Sequence, residues 1–382
     1  MEYKLSDIAF YSKQKISVED ISVKNYVSTE NMLPNKNGKI AATTLPKVKQ
    51  TLKYEPNDVL ISNIRPYFKK IWLANEEGGC SNDVLVLTAK NGIDPRYLYY
   101  VLANDKFFDY SMATSKGTKM PRGDKNSIMD YLVPSYPIDI QLKIASVLWN
   151  IDEKIRINEK INKNLEQQAE AFFHSLFIEN ANPTWKDGVL SDLGTVVAGG
   201  TPSKTIPKYY SEQGIAWITP KDLSLNKSKF ISRGEIDISE LGFSKSSATK
   251  MPTGTVLFSS RAPIGYIAIA ANEVTTNQGF KSVVPNENVG TAFMYYLLKF
   301  LLPTIEGMAS GSTFKEISGA GMKSVPVVIP DNETIEKFNA FCTPIFQQQE
   351  VLEAENSRLA DIRDVLLPKL MSGELDVSDI NL

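Results

Sequence analysis

The chain has 382 residues, 42% hydrophobic and 23% charged, with a formal net charge of −2 and a single histidine. That length holds two or three domains with cores of their own, and no apolar run approaches the roughly 18 residues a membrane helix needs. Cys80 and Cys342 are the only cysteines and lie far apart, which excludes a disulfide framework or a cysteine zinc site. The opening MEYKLSDIAFYSKQK has no secretory-type apolar stretch, so a cytoplasmic protein is expected.

The charge is unevenly spread. Taken as Lys and Arg less Asp and Glu, residues 1–135, 136–180, 181–330 and 331–382 carry +4, −2, +3 and −7. Two mildly basic blocks alternate with two acidic ones, and a local positive face is what a polyanionic partner requires.

In chain order, the first block opens on LSDIAF (from Leu5) and passes through short β-type runs, among them DVLVL (from Asp83). DPRYLYYVLAN follows as a helix: Asp94 caps it, Pro95 takes its first position and Tyr97 begins an apolar face. That cap explains DPRY better than the Asp-Pro-Pro-Tyr of amino-methyltransferases, since no glycine-rich cofactor turn accompanies it. The stretch ATSKGTKMPRGDKNSIMDYLVPSYP (Ala113 to Pro137) then leads into an acidic helix. Its Ile144, Leu148, Ile151, Ile155, Asn158, Asn162, Leu165, Ala169, Phe172 and Leu176 keep the 4-3-4-3 spacing of a coiled-coil seam.

The second block echoes the first. LSDLGT (from Leu190), GTVLFSSRAPIGYIAIAANE (from Gly254) and TNQGFKSVV (from Thr276) match LSDIAF, DVLISNIRPYFKKIWLANE (from Asp58) and SNDVLVL (from Ser81), aligning Arg261 close to Arg65. GTVVAGGTPSKT (Gly194 to Thr205) resembles a phosphate loop, but Gly200 occupies the lysine position and the nucleotide reading fails. A helix at TAFMYYLLKFLL and the joint MASGSTFKEISGAGMKSVPVVIP (Met308 to Pro330) lead into the second seam. That seam holds Phe338, Cys342, Ile345, Gln349, Leu352, Asn356, Leu359, Arg363, Leu366 and Leu370, each 194 residues after its counterpart. Asn162 and Asn356 coincide in the two copies, a polar device for register. Pro344 is expected to bend or break the second helix. The layout is domain–helix–domain–helix.

Catalytic chemistry finds no support. His174 lies among Phe172, Phe173 and Leu176 near a helix end, which suits packing or the helix dipole. Hydrolytic triads and zinc chemistry lack their residues. Basic and aromatic loop residues remain: Arg65, Lys69, Lys70, Lys119 and Arg122 in the first block. The second block supplies Lys204, Lys208, Tyr209, Lys221, Arg261, Lys281 and Lys315, with Trp217 either contact or core. Arginine reads guanine edges and lysine neutralises phosphate, so such loops suit a DNA groove. Solvated surface charge is the plainer account of each residue taken singly. A coiled-coil scaffold whose globular blocks bind protein is the competing function.

These strings together resemble the specificity (S) subunit of type I restriction–modification systems along the whole chain. The two joints look like the family's domain-to-helix transitions, and QLKIASVLWNIDEKIRINEKINKNLEQQAEAFF looks like its central spacer helix. VAGGTPS…GIAWITPKDLS and TTNQGFKSVVP are similar to strings in its target-recognition domains, and RDVLLPKLMSGELDV to its C-terminal end. Thr334 stands in the second copy where Gln141 stands in the first, a departure from the repeat.

The resemblance implies an α+β chain with a pseudo-twofold internal repeat. Two mixed α/β target-recognition domains (1–135 and 181–328) would be separated by two long antiparallel coiled-coil helices (136–180 and 329–382). It further implies that each domain reads half of an asymmetric double-stranded DNA site. Two modification subunits would bring S-adenosylmethionine and methylate adenine, restriction (translocase–nuclease) subunits would bring ATP and Mg, and this chain would hold no cofactor or metal and perform no catalysis.

Overall fold

The computed structural model describes residues 2–261, 263–311 and 315–380. The chain divides into two compact units, residues 1–155 with 358–382, and residues 156–357.

In the first unit, strand pairing follows the β-branched and leucine-rich runs. Ala9–Tyr11, Val84–Ala89, Val59–Ser62 and Ile71–Leu73 form one antiparallel sheet in that order. Lys15–Ser17, Gln50–Tyr54, Gly78–Cys80 and Tyr26–Val27 form a second, whose last pair runs parallel. The helix Pro95–Ala103 begins as its sequence predicts, with the Asp94 carboxylate accepting the Tyr97 N–H at 3.0 Å. Its buried Tyr97, Leu98 and Val101 join Leu5, Leu85 and Leu87 in the core.

The second unit repeats the plan with longer strands. Gly194–Ala198, Lys281–Pro285, Val256–Ser260, Ile264–Ala270 and Phe230–Ile231 make one sheet, and Trp217–Ile218 pairs parallel with Thr275–Thr276. Thr291–Met308 is the counterpart of Pro95–Ala103. The LSD turns match in detail: the Lys4 N–H donates to Asp7 and the Val189 N–H to Asp192, at 2.9 and 2.8 Å. Leu5 and Leu190 are both fully buried behind those turns.

Two long helices, Ile138–His174 and Asn332–Ser372, contribute residues to both units. Within each unit they run antiparallel. In the first, Arg363 meets Asp152 at 2.8 Å and the Tyr136 hydroxyl donates to Leu370 O at 3.4 Å. In the second, Asn158 donates to Asn356 at 2.8 Å and Phe172 stacks on Phe338 at 5.9 Å. None of the twenty seam positions is exposed. Pro344 does not break the second helix. Phe338, Cys342 and Ile345 around it are buried, and that packing opposes the lost hydrogen bond and the clash a proline brings to a helix interior.

Candidate nucleic-acid interface

The second unit carries a cleft of about 630 Å³ whose lining includes Thr201, Lys204, Trp217, Lys221, Arg261 and Gln278. The Trp217 ring forms part of the wall, with its indole N–H donating to Gly200 O at 3.0 Å. Asp222 shapes the floor. One of its oxygens accepts the Thr219 N–H and hydroxyl at 2.7 and 2.6 Å, and the other accepts the Glu235 N–H at 2.8 Å. The adjacent glycines answer to close packing: a Cβ on Gly199 would strike Asn277 O, and one on Gly200 the Ala248 N. The phosphate-loop look of GTVVAGGTPSKT is thus a backbone crossing.

The first unit has a cleft at the same place in its fold, about 420 Å³, bordered by Tyr26, Ser28, Glu30, Asn31, Ser81 and Asp83 among others. Tyr26–Val27 runs parallel to Gly79–Cys80 as Trp217–Ile218 does to Thr275–Thr276. Asn31 takes the role of Asp222, its Oδ1 accepting the Ser28 N–H and hydroxyl at 2.6 and 3.2 Å. This register equates Tyr26 with Trp217, Glu30 with Lys221, and Asn82 with Gln278.

The proposed contact residues divide by what they touch. Lys204, Lys221 and Arg261 line the second unit's cleft. Lys221 pairs with Glu235, while Arg261 and Lys281 share Glu316 at 3.3 and 3.7 Å. Lys208 and Tyr209 lie in the short turn Pro207–Tyr209, and exposed Lys315 follows residues 312–314, which lie outside the described residues.

In the first unit, Arg65 has left-handed backbone (φ 51°), a strained state outside glycine. Its N–H donates to Pro121 O at 2.8 Å, beside Arg122, whose guanidinium reaches Asp83 at 3.3 Å. Lys69 shares Asp105 with Lys36, at 2.9 and 2.8 Å. Lys70 donates to Thr29 O at 2.5 Å, and partial burial lowers its pKa. Lys119 and Lys204 are exposed and make no ion pair among the described residues. The echo of Arg65 in Arg261 is out of step by one position: Ile64 bridges to Arg122 as Arg261 does to Glu316, so Arg261 corresponds to Ile64.

Each unit also contains a polar clamp that periodicity did not reveal. The tyrosine pairs Tyr99–Tyr100 and Tyr295–Tyr296 both pack edge-on at 5.1 Å. Tyr100 donates to Asp152 at 2.6 Å, and Arg363 pairs with the same carboxylate at 2.8 Å. Tyr296 donates to Glu166 at 2.8 Å, and Glu166 pairs with Lys229 and with Lys299, the latter at 2.7 Å. Burial alone would raise the Glu166 carboxyl, but the two ammonium groups override it and hold it at about 2. Burial pushes Lys229 down and Glu353 up. The matching YY pairs in LYYVL and MYYLL were the available signal.

Among the described residues no three His, Cys, Asp or Glu side chains gather as a metal site would require, and no helix is long and apolar enough to cross a membrane. Cys80 and Cys342 are buried, and burial pushes both thiols up to about 12, away from nucleophilic reactivity.

The chain is thus one mixed α/β plan with a loop cleft, built twice. The family model described as "Type I restriction modification DNA specificity domain" matches residues 1–167 and again 182–357. The chain belongs to that family, and it is a specificity subunit, the non-catalytic recognition component of such systems. It is 23% identical to the HindI specificity subunit of Haemophilus influenzae over 98% of this chain and 99% of that protein. A shorter match to the MjaIX specificity subunit of Methanocaldococcus jannaschii is 41% identical, over 40% of this chain and 36% of that protein. The crystal structure of the Type-I restriction-modification system S subunit from M. genitalium shares the fold, with TM-score 0.64, 17% identity and coverage of 99% and 96% of the two chains.

Proposed function

We propose that this subunit reads a bipartite, asymmetric site in double-stranded DNA, one half with each unit. Residues 1–135 and 181–328 act as the target-recognition domains, and 136–180 and 329–382 as their spacer helices. The chain recruits two modification subunits, which supply S-adenosylmethionine and methylate adenine in each half-site. Restriction subunits bring ATP and Mg for translocation and cleavage, and the assembly works in the cytoplasm. One observation carries this reading: two clefts at equivalent places have different linings, with Glu30 where the other has Lys221 and Tyr26 where it has Trp217. A repeat that served only as a scaffold has no need of that divergence, whereas two unlike half-sites demand it. Co-expression with the modification subunits followed by methylome mapping tests it. A split motif of two unlike halves is expected, and scattered or absent methylation would defeat it.

A further inference from the structure

From the repeat register we infer that Asn82 and Gln278 are the paired base-reading residues of the two units, each recognising an adenine in its own half-site. The inference rests on the DNA-reading function proposed above and assigns that function to two side chains absent from the basic set.

Both residues sit at the tip of the same turn. In the second unit, the Asn277 N–H donates to Ile218 O at 3.0 Å, the Phe280 N–H to Asn277 O at 3.2 Å, and the Ser260 N–H to Gly279 O at 2.7 Å. The first unit repeats all three: Ser81 to Val27 at 2.9 Å, Val84 to Ser81 at 3.0 Å, and Asn63 to Asp83 at 2.8 Å. Six bonds thus hold two turns in one conformation, with Asn82 and Gln278 as their exposed middle residues. Around them the clefts have diverged, with Asp83 against Gly279 and Glu30 against Lys221. The tip keeps a carboxamide in both.

A carboxamide presents a donor and an acceptor side by side, which matches the N6 amino group and N7 of adenine in the major groove. A lysine or a carboxylate offers one half of that pattern only. The Thr201 hydroxyl donates to Gln278 Oε1, leaving a lone pair on that oxygen and both Nε2 donors for a base. Arg261, Lys204 and Lys221 line the same cleft, and Arg122 lies on Asp83 beside Asn82, so phosphate-seeking groups flank each tip.

The test uses the full chain assembled with its modification subunits, with the methylated motif read by methylome sequencing. The unsubstituted complex comes first: absence of any split motif would overturn the DNA-reading function itself. Given a motif, Gln278→Ala is expected to make one adenine position in one half-site degenerate, lowering discrimination about 10- to 100-fold, while the other half-site is unchanged. Asn82→Ala is expected to do the same in the opposite half. The unaffected half reports that the protein is folded. Gln278→Glu keeps the shape, loses the donors and is expected to shift preference from adenine to cytosine, whose amino group a carboxylate accepts. An unaltered motif in these variants, equal loss in both halves, or adenine preference surviving in Gln278→Glu would each overturn the inference.

Discussion

Replacing Glu166 by glutamine removes the negative charge that compensates Lys229. The Lys229 side chain is only 6% exposed and Glu166 23%. Without the carboxylate, the ammonium keeps neutral acceptors, Gln349 Oε1 at 2.7 Å and the Tyr296 hydroxyl at 3.3 Å, and the faces of Tyr295 and Phe346 at 4.9 and 4.2 Å. Breaking a buried pair from one side costs about 3–5 kcal/mol. Independently, a carboxyl held at about 2 against an ordinary 4.5 implies about 3 kcal/mol of favourable interaction. A loss of about 3 kcal/mol is therefore expected. Glu353, which accepts the Lys229 and Phe230 N–H groups at 3.0 and 3.1 Å, places the result at the low end. Lys229→Met in the same background should restore most of the loss, because an apolar replacement removes the stranded charge.

Hydrogen exchange across Thr291–Met308 in the full chain measures the local opening free energy, with first-unit peptides as an internal control. Because the folded carboxyl titrates below its unfolded value, its contribution is complete above about pH 4.5 and disappears as pH falls toward 2. The deficit caused by Glu166→Gln should therefore shrink across that window. Additivity of the two substitutions within about 0.5 kcal/mol, or a deficit indifferent to pH there, refutes the reasoning.

Tyr100→Phe and Tyr296→Phe should each cost about 1.5 kcal/mol, the value of a bond to a charged acceptor, and hydrogen exchange should place the first loss in the first unit and the second in the other. Lys119→Ala and Lys204→Ala should each lower the salt slope of DNA binding by about one and leave the methylated motif intact, whereas Lys70→Ala should destabilise the first unit because its ammonium holds Thr29 O. Inserting four residues into Ile138–His174 adds about 6 Å of helix, so the recognised gap should lengthen by roughly two base pairs with both half-sites unchanged in the methylome.

The seams were legible because burial enforces periodicity: Ile144, Leu148, Phe338 and Cys342 are apolar for the reason that makes them buried. The cap at Asp94 was legible because capping is local. Facing partners across the seam were not. In an antiparallel pair the residues that meet advance along one helix as they retreat along the other, so repeat mates Asn162 and Asn356 do not face each other. Asn158 meets Asn356, and Gln349 donates to the Asn162 carbonyl at 3.2 Å. Lys70 and Lys281 have partners far off in sequence, the Thr29 carbonyl and the Glu316 carboxylate, which residue type alone does not reveal. A search for positive charge also passes over neutral amides, so it does not single out Asn82 and Gln278, the pair inferred above from the repeat register.

The duplicated architecture separates two demands that conflict in a single domain. On the proposed function, reading different half-sites requires the cleft linings to change, while coupling each unit to its helices requires a constant mount. The first unit mounts Tyr100 on Asp152 with Arg363 as counter-charge, and the second mounts Tyr296 on Glu166 with Lys229 and Lys299. Both carboxylates come from the helix Ile138–His174. The counter-cation need not match between copies, because the mount requires only that the buried carboxylate be compensated. The LSD turns and the Asn31 and Asp222 caps belong to the same constant set, each fixed by bonds to backbone N–H groups and not to the side chains of Glu30, Asn82, Lys221 or Gln278. Specificity can therefore drift in one unit without loosening either unit's grip on the helices.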